Sequence, residues 1–333
     1  MAADGKSAHM TYRFLGNSGL LVSKLSLGSW MEVTDKYTAD AWYNMMKLAF
    51  EYGVNFFDNA EAYGGGLAEK NMGAAIKKGI SEGTWSREDL VITTKIFFGH
   101  KEFMTKSGPN EQGLSRKHIV EGTKASLKRL DQEYVDVIFC HRPDPYTPIE
   151  ETVRAMNFVI NQGWAFYWGT SQWSAAQIIE AILDRNKVEF EYVDLYKKYK
   201  LGLTTWSPLA YGALTGKYSA GTPEGSRMEM AMYKAISPDF AERVAKADKL
   251  KPLAEKLGIS MAELALAWCV SNENVSTVMV GATTLSQLEQ NLKAVEALEK
   301  ITPEVKAEID ALLPFVPELS KPDGTEMMRA QHL

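Results

Sequence analysis

The chain has 333 residues, of which 45% are hydrophobic and 24% are charged, a composition that indicates a globular protein with one large α/β domain or two ordinary ones. Its formal net charge of −5 does not favour nucleic acid or an acidic membrane surface as a partner. Two cysteines in apolar contexts, Cys140 and Cys269, give no disulfide framework. Without a secretory signal or a run of roughly 18 apolar residues, we expect a cytoplasmic protein that does not insert into membranes.

The first predicted elements are a hairpin and then alternating strands and helices. A turn signal, Gly16-Asn-Ser-Gly19, lies between short apolar runs and predicts a hairpin over Tyr12–Ser23 that caps the closed end of a barrel. Three strands and two helices are predicted next, at Leu25–Trp30, Thr38–Tyr52, Asn55–Asn59, Ala68–Lys78 and Leu90–Phe97.

The alternation continues and then loses one strand. The next predicted elements, beginning with a helix, are Ser115–Leu130, Val135–His141, Thr147–Gly163, Ala165–Thr170 and Ser174–Leu183. Glu189–Lys200 is also predicted as a helix, with no strand before it. The series resumes with a strand at Leu203–Trp206, a loop through Pro238, and elements at Phe240–Gly258, Ser260–Ser271, Ser276–Val280 and Leu285–Leu298. Of these four elements, Ser276–Val280 is a strand and the others are helices. The series of alternating strands and helices therefore contains seven strands.

Alternating strands and helices predict either a (β/α)8 barrel or a doubly wound sheet. No Gly-x-Gly-x-x-Gly opens a helix after a strand, so the doubly wound fold lacks its phosphate-binding turn. We therefore predict an α/β protein, a (β/α)8 TIM barrel with an N-terminal β-hairpin cap. A single domain would span residues 12–313, with tails at 1–11 and 314–333.

A barrel needs an eighth strand, because omitting one exposes unpaired backbone groups. We predict that roughly 20 to 25 residues, a strand with its connection, are absent between about Leu183 and Asn186. If the protein contains the segment and only the printed sequence omits it, the Cα atoms of Asp184 and Arg185 lie well beyond about 3.8 Å apart. An intact peptide bond there would contradict that explanation.

Ionisable side chains stand at the ends of three predicted strands. Asp58, Lys95 and His141 each end an apolar run, and Tyr63 follows Asp58 by five residues. In a parallel barrel, catalytic groups collect at the edge formed by the carboxyl ends of the strands. Each residue alone has an ordinary explanation: a turn cap, a lysine reaching solvent, or a core histidine. Together with Tyr63 they favour a reaction site.

These residue types fit the reduction of a carbonyl group. The reaction needs a hydride donor and an acid, and a phenol with a pKa of about 10 is a weak acid unless nearby cations favour its ionised form. Lys95 beside Tyr63 would have this effect, Asp58 would hold Lys95 charged, and His141 would orient the carbonyl oxygen. The hydride would come from a nicotinamide.

The sequence resembles the aldo-keto reductase superfamily in an ordered set of motifs from about Tyr12 to Leu313. Besides the four residues above, the motifs are Gly169-Thr-Ser-Gln172, Trp206-Ser-Pro-Leu-Ala210 and Gly281-Ala-Thr-Thr-Leu-Ser-Gln-Leu-Glu-Gln-Asn291. Three further stretches resemble the branch that contains the β subunits of voltage-gated potassium channels: Leu114-Ser-Arg-Lys-His118, Arg142-Pro-Asp-Pro145 and Glu150-Glu-Thr-Val-Arg-Ala-Met156.

The resemblance implies a nicotinamide site and gives Asp58, Tyr63, Lys95 and His141 the catalytic roles. Lys217, Arg227 and Thr283 would suit a 2′-phosphate, so NADPH is favoured over NADH. The implied cofactor-binding residues are Ser29, Trp30, Asp58, Ser171, Gln172, Trp206, Ser207, Pro208, Leu209, Ala210, Lys217, Arg227, Gly281, Thr283, Gln287, Gln290 and Asn291. Five scattered histidines without paired spacing predict no metal site.

Three functions are compatible with the sequence. The first is NADPH-dependent reduction of aldehydes or ketones, with Tyr63 as the acid. The second is a redox-sensing β subunit of a voltage-gated potassium channel with slow turnover, and the third is a dinucleotide-binding scaffold without hydride transfer. Channel β subunits often carry Asn where this chain has His141, which favours the reductase. The resemblance also implies a homo-oligomer, such as a tetramer, and an ion-channel partner.

Overall fold

The computed structural model describes residues 9–30, 37–101, 107–173, 185, 189–190 and 192–317. Seven parallel strands form a curled sheet flanked by helices, and a two-stranded hairpin precedes it. This arrangement confirms the predicted α/β architecture of the (β/α)8 type with an N-terminal hairpin.

The hairpin closes one end of the sheet, as predicted. Its strands, β1 (Tyr12–Phe14) and β2 (Leu21–Ser23), are antiparallel. Arg13 donates hydrogen bonds of 2.7 and 2.6 Å to the carbonyl oxygens of Asn272 and Val275, at the start of a sheet strand. The hairpin therefore lies at the amino-terminal end of the parallel strands, which leaves their carboxyl ends open.

The parallel strands follow one another around the sheet. They are β3 (Leu25–Gly28), β4 (Phe56–Asp58), β5 (Val91–Ile96), β6 (Val135–Cys140), β7 (Ala165–Thr170), β8 (Leu203–Thr205) and β9 (Val275–Val280). Their order is β7-β6-β5-β4-β3-β9-β8. Every residue of β5, β6 and β9 is buried, and apolar residues make up half of β5 and most of β6 and β9.

The outer strands of the sheet are consecutive in the described sequence. In the part of the chain that the structure describes, β7 and β8 are not paired with each other, although they would meet in a closed barrel. Phe166 in β7 is 49% exposed, unlike any residue of β5 or β6. The predicted helix at Ser174–Leu183 and the Asp184–Arg185 junction lie outside the described residues.

Eleven α-helices are found within the described ranges, and none is long and apolar enough to cross a membrane. Ser115 and Ser260 cap two of them through their hydroxyl oxygens, and the Ser115 cap was expected from sequence. The helices are α1 (Ala39–Glu51), α2 (Leu67–Ser81), α3 (Arg116–Leu130), α4 (Ile149–Asn161), α5 (Val193–Tyr199), α6 (Ala231–Ile236), α7 (Phe240–Asp248), α8 (Lys251–Leu257), α9 (Met261–Val270), α10 (Leu285–Leu292) and α11 (Pro303–Leu312).

Four details differ from the predictions. The single helix predicted over Phe240–Gly258 is two helices, because Pro252 fits only the first turn of α8. The predicted loop before Pro238 contains α6 and two 3-10 segments, Ala210–Thr215 and Arg227–Glu229. The helix predicted to reach Leu298 changes to 3-10 geometry at Lys293. The last helix, α11, was not predicted, although Thr302 followed by proline is a helix start.

Close packing of α2 against α3 depends on Gly73. A Cβ atom at this position would lie 2.1 Å from the carbonyl oxygen of Leu130, which is backbone and cannot move aside. We expect Gly73→Ala to lower the free energy of unfolding by about 1–3 kcal/mol, despite the better helix propensity of alanine. Urea denaturation measures this value.

Gly19→Ala is the matched control for this substitution. Gly19 has no atom within 4 Å of its would-be Cβ. Its replacement should change stability by less than about 0.5 kcal/mol. A Gly73→Ala protein as stable as the wild type would contradict the packing argument.

Candidate active site

Four side chains that are distant in sequence meet at the open end of the sheet. Asp58 is the last residue of β4, Lys95 lies near the end of β5, and His141 follows β6 directly. Tyr63 lies in a 3-10 turn after β4. All four are less than 9% exposed. Because parallel strands end at one edge, their order brings these residues together.

Lys95 is the centre of the cluster. Its Nζ donates hydrogen bonds to Asp58 Oδ2 at 2.5 Å, to the Asn59 carbonyl oxygen at 2.8 Å and to the Tyr63 hydroxyl at 3.3 Å. The Thr93 hydroxyl donates to the other Asp58 oxygen at 2.7 Å. Both carboxylate oxygens of Asp58 are therefore bonded, and the ammonium is fixed against the phenol.

A glycine turn allows Tyr63 to reach this position. Gly64, Gly65 and Gly66 have φ angles of 59°, 61° and 86°, which residues with a Cβ atom rarely adopt. The run lets the chain reverse into α2 directly after Tyr63. The three glycines form a turn, as the sequence indicated. The Tyr63 ring packs edge-to-face with His141, with centroids 5.7 Å apart.

The electrostatics of Tyr63 differ from the expectation in one respect. Burial raises the pKa of the Tyr63 phenol, and the charge of Lys95 opposes this increase. The effect of Lys95 has the predicted direction, but desolvation is larger, so the net pKa lies above the ordinary value. The phenol therefore keeps its proton at neutral pH, as a general acid must. The positive charge of Lys95 would stabilise the phenolate if the proton were lost.

The pKa values of Lys95 and His141, the two neighbours of Tyr63, shift in opposite directions. Burial opposes the charge of Lys95, but Asp58 and Tyr63 outweigh it and raise the Lys95 pKa, so the ammonium persists. Burial, followed by the charges of Arg142 and Lys95, holds the pKa of His141 well below its usual range. His141 is therefore a neutral imidazole, which can donate one hydrogen bond without adding charge.

Sequence reasoning missed Glu61, which joins the loops that carry the cluster. Its Oε1 accepts hydrogen bonds from the backbone N–H groups of Phe97 at 2.7 Å and Gly99 at 2.8 Å, and lies 3.1 Å from His118 Nε2. Burial opposes its charge, but His118 and these N–H groups lower the Glu61 pKa below its ordinary value. Its position between Asp58 and Tyr63 in the sequence was the one signal that could have identified Glu61 as part of the site.

The residues expected to bind a cofactor follow strands at the same edge. Ser29 and Trp30 follow β3, Ser171 and Gln172 follow β7, and residues 206–210 follow β8. Trp30 packs edge-to-face on Tyr63, with centroids 4.9 Å apart. The Ser29 hydroxyl is buried, and no described residue provides it with a hydrogen-bond partner. It is a polar atom available to a bound group beside the cluster.

Backbone strain marks the same stretches. Six described residues other than glycine have positive φ angles, and two of these, Asp131 and Lys200, are helix caps. The other four lie in or next to the expected cofactor stretches: Gln172, Ser207, Ala210 and Tyr211, with φ angles from 48° to 57°. Such strain persists where the backbone must adopt a special shape and clusters at ligand sites.

The connection between β9 and α10 suits an anionic group. Thr284 caps α10, and Gln287 accepts hydrogen bonds from both the backbone and the hydroxyl of Thr283. Nothing lies within 4 Å of a would-be Cβ at Gly281, and Asn291 donates to the Gly281 carbonyl oxygen at 3.3 Å. An exposed glycine beside a helix start gives a phosphate close access to the backbone.

The remaining expected cofactor residues surround these stretches. Lys217 and Gln290 are exposed, and Arg227 is half-buried against the Tyr233 ring, with its guanidinium carbon 5.7 Å from the ring centroid. Pro208 is buried and Leu209 is half-buried after β8. Asp58, Tyr63, Lys95 and His141 thus form a buried tetrad at the edge where Ser29, Ser171 and residues 206–210 follow their strands.

Comparison with known proteins finds similarity over most of the chain. The model of the aldo/keto reductase family matches residues 24–314. A protein of Arabidopsis thaliana called a probable voltage-gated potassium channel subunit beta is 49% identical, over 93% of this chain and 98% of that protein. A protein of Oryza sativa subsp. japonica with the same name is 47% identical, over 96% of this chain and all of that protein. The rice alignment spans 343 residues, more than the 333 of this chain.

Proposed function

Because the chain belongs to the aldo/keto reductase family, we propose that it reduces aldehydes or ketones to alcohols, with Tyr63 as general acid. Membership of this family indicates an oxidoreductase that uses NAD(P)H. The observation that carries the finer proposal is the 3.3 Å contact between the Tyr63 hydroxyl and Lys95 Nζ, with Lys95 bound to Asp58.

Each member of the cluster has a distinct role in this proposal. His141 donates a hydrogen bond that orients the carbonyl oxygen beside Tyr63, and Tyr63 transfers its proton to that oxygen. Lys95 stabilises the phenolate that remains, and Asp58 keeps Lys95 in place. Solvent then returns a proton to Tyr63. When bound, the nicotinamide would supply the hydride that the carbonyl carbon receives.

We propose NADPH as the cofactor. Ser29, Trp30, Ser171, Gln172 and the strained stretch 206–210 would hold the nicotinamide end. Gly281, Thr283, Gln287, Gln290 and Asn291, at the start of α10, would hold the adenine end. Lys217 and Arg227 supply the positive charge that a 2′-phosphate needs.

Hydride transfer is the decisive test. In two separate reactions the protein is incubated with 4-nitrobenzaldehyde and NADPH that carries deuterium on one or on the other face of C4, and the alcohol is analysed by mass spectrometry. We expect deuterium in the product from one face of the cofactor only. Tight NADPH binding without any labelled alcohol would contradict the reductase proposal and support a sensor.

The names of the two plant relatives support a second candidate. They are called probable voltage-gated potassium channel subunits beta, and we propose as the second candidate that this chain is a cytoplasmic subunit of such a channel and forms a homo-tetramer. Mass measurement in solution tests the tetramer. Co-purification with the cytoplasmic part of a voltage-gated potassium channel tests the partner, and a monomer that does not bind it would contradict this candidate.

We also propose that the chain lacks one strand and its connection between about Leu183 and Asn186. Within the described residues β7 and β8 do not pair with each other, and the rice alignment is longer than this chain; both observations support the proposal. The family model, which ends at residue 314, supports treating residues 12–313 as one domain.

Insertion of the unmatched residues of the rice relative between Asp184 and Arg185 tests this proposal. The inserted strand should cover the exposed edge of β7 and raise the free energy of unfolding by about 3 kcal/mol or more, the value of burying two large apolar side chains. Urea denaturation measures the gain. The control is a glycine-serine insertion of the same length, and equal stability of the two proteins would contradict the proposal.

A further inference from the structure

A buried carboxylate outside the tetrad lies at the same end of the sheet. Glu61 is 1% exposed and lies between β4 and Tyr63. Burying a carboxylate is costly unless hydrogen bonds compensate it, and Glu61 has several. Its Oε1 accepts from the backbone N–H groups of Phe97 and Gly99 and lies 3.1 Å from His118 Nε2. Because an ionised carboxylate has no proton to give, His118 is the donor.

Glu61 holds the chain after β5 through its backbone as well as its side chain. Its own N–H donates to the Lys95 carbonyl oxygen at 3.1 Å, and its carboxylate accepts from Phe97, two residues after Lys95. The Phe97 carbonyl oxygen in turn accepts from the Gly113 N–H at 2.6 Å. The backbone that follows Lys95 is therefore fixed at two points to one residue, which lies two positions before Tyr63.

Helix α3 holds Glu61 from the helical layer. His118 is 5% exposed and lies in the first turn of α3, where the Ser115 hydroxyl accepts from the His118 backbone N–H. One turn later, a Cβ atom at Gly122 would lie 3.1 Å from Glu61 Oε2, so the helix approaches the carboxylate closely. The position of Glu61 is therefore set by α3 as well as by the chain after β5.

The contact between Tyr63 and Lys95 is the one in the tetrad that a small displacement would break. Its length is 3.3 Å, whereas Lys95 Nζ lies 2.5 Å from Asp58 Oδ2 and 2.8 Å from the Asn59 carbonyl oxygen. Beyond about 3.5 Å two groups no longer share a hydrogen bond, so a slight lengthening would remove this one. Tyr63 and Lys95 belong to different segments, and Glu61 joins them.

We infer that Glu61, held by His118, is a positioning residue that sets the contact between Tyr63 and Lys95 and thereby the rate of proton transfer. The inference rests on the proposed reductase function and adds a residue outside the tetrad to it. Glu61 acts through the two segments that it joins. Its loss should therefore slow the chemical step and leave NADPH binding unchanged.

Glu61→Met tests the inference, because methionine has a similar length and no oxygen that could accept from Phe97 and Gly99. Stopped-flow measurement of a single turnover with NADPH and 4-nitrobenzaldehyde isolates the chemical step. We expect its rate to fall by about 10- to 100-fold, since a misplacement of about 1 Å can cost roughly 100-fold. The Kd for NADPH, from tryptophan fluorescence, should stay at the wild-type value. Glu61→Gln keeps an acceptor oxygen and should restore most of the rate.

Glu69→Met is the matched control. Glu69 on α2 is also fully buried and accepts from the Thr94 hydroxyl and from Arg129 Nε, each at 2.6 Å. Its loss should lower stability and leave the single-turnover rate of the folded protein unchanged, with circular dichroism as the check of folding. An unchanged rate in Glu61→Met, or an equal fall in both variants, would overturn the inference. If Glu61→Met does not fold, His118→Leu removes only one hydrogen bond of the carboxylate and should give a smaller fall.

Crystal structures of the wild type and the variants separate the inference from the reductase proposal, because they need no turnover. We expect the distance from the Tyr63 hydroxyl to Lys95 Nζ to exceed about 3.5 Å in Glu61→Met and to match the wild type in Glu69→Met. An unchanged distance in Glu61→Met would overturn the inference even if the rate fell. A wild type without turnover would count against the reductase proposal, and the distance alone would then decide whether Glu61 positions the pair.

Discussion

Replacing Tyr63 with phenylalanine should lower kcat for aldehyde reduction by about 10²- to 10⁴-fold, the usual contribution of a positioned general acid. Phenylalanine keeps the ring that packs on Trp30 and His141 and removes only the hydroxyl bonded to Lys95. One hydrogen bond contributes about 1 kcal/mol, so the variant should fold. Stopped-flow measurement of NADPH oxidation gives the rate, and urea denaturation checks the fold.

Tyr134→Phe is the matched control. Tyr134 precedes β6, at the end of the sheet opposite the tetrad, where it packs on Phe166 with ring centroids 4.5 Å apart. Loss of its hydroxyl should leave the reduction rate unchanged. If Tyr63→Phe reduced aldehydes as fast as Tyr134→Phe, Tyr63 would not be the acid and the proposed mechanism would be wrong.

Strands were the most predictable part of this fold. All seven parallel strands were expected within one or two residues, because buried parallel strands such as β6 are short segments rich in apolar and β-branched residues. The short helix α6 and the 3-10 segments were not expected. Segments of six to eight residues carry too few turns for a periodic signal, and their conformation depends on tertiary packing.

The residues of the tetrad could be predicted from the order of the strands, but the residues that contact the tetrad could not. Once strands are parallel, the residues that end them must converge, so Asp58, Lys95 and His141 could be grouped from sequence. Glu61 and Arg142 act through contacts that need coordinates, with the Phe97 amide and the Phe98 ring respectively. The net rise in the pKa of Tyr63 was also missed, because burial cannot be weighed against charge without a structure.

The strained backbone at the site shows a second limit of sequence reasoning. Ser207, Ala210 and Tyr211 adopt positive φ angles although none is glycine or asparagine, so no turn rule identifies them. Their conformation is imposed by the surrounding fold. We therefore take it as a structural reason, independent of the sequence resemblance, to propose a ligand at this edge.

Removal of Lys95 should affect stability as well as catalysis. Lys95→Met keeps the length of the side chain but leaves Asp58 buried without its cation, and we expect a loss of about 3–5 kcal/mol in the free energy of unfolding. Aldehyde reduction should fall at least as far as in Tyr63→Phe, because no ammonium remains to stabilise the phenolate. Urea denaturation and NADPH oxidation measure the two effects.

Lys117→Met provides a matched control for the stability effect. Lys117 pairs with Glu121 at 2.5 Å on α3, but both side chains are more than half exposed. Water screens such a pair, so its loss should cost less than about 1 kcal/mol. If Lys95→Met and Lys117→Met lost equal free energy of unfolding, the Lys95–Asp58 pair would contribute no more to stability than an exposed pair.

A double substitution identifies the origin of the loss. In Asp58→Asn/Lys95→Met the unpaired carboxylate is gone, so the double variant should be more stable than Lys95→Met alone and yet equally inactive. The pH dependence gives the same test. An unpaired buried carboxylate has a raised pKa, so Lys95→Met should regain part of its lost stability relative to the wild type as acid protonates Asp58. If the two single losses simply added at every pH, Lys95 would stabilise the site by packing and not by its charge.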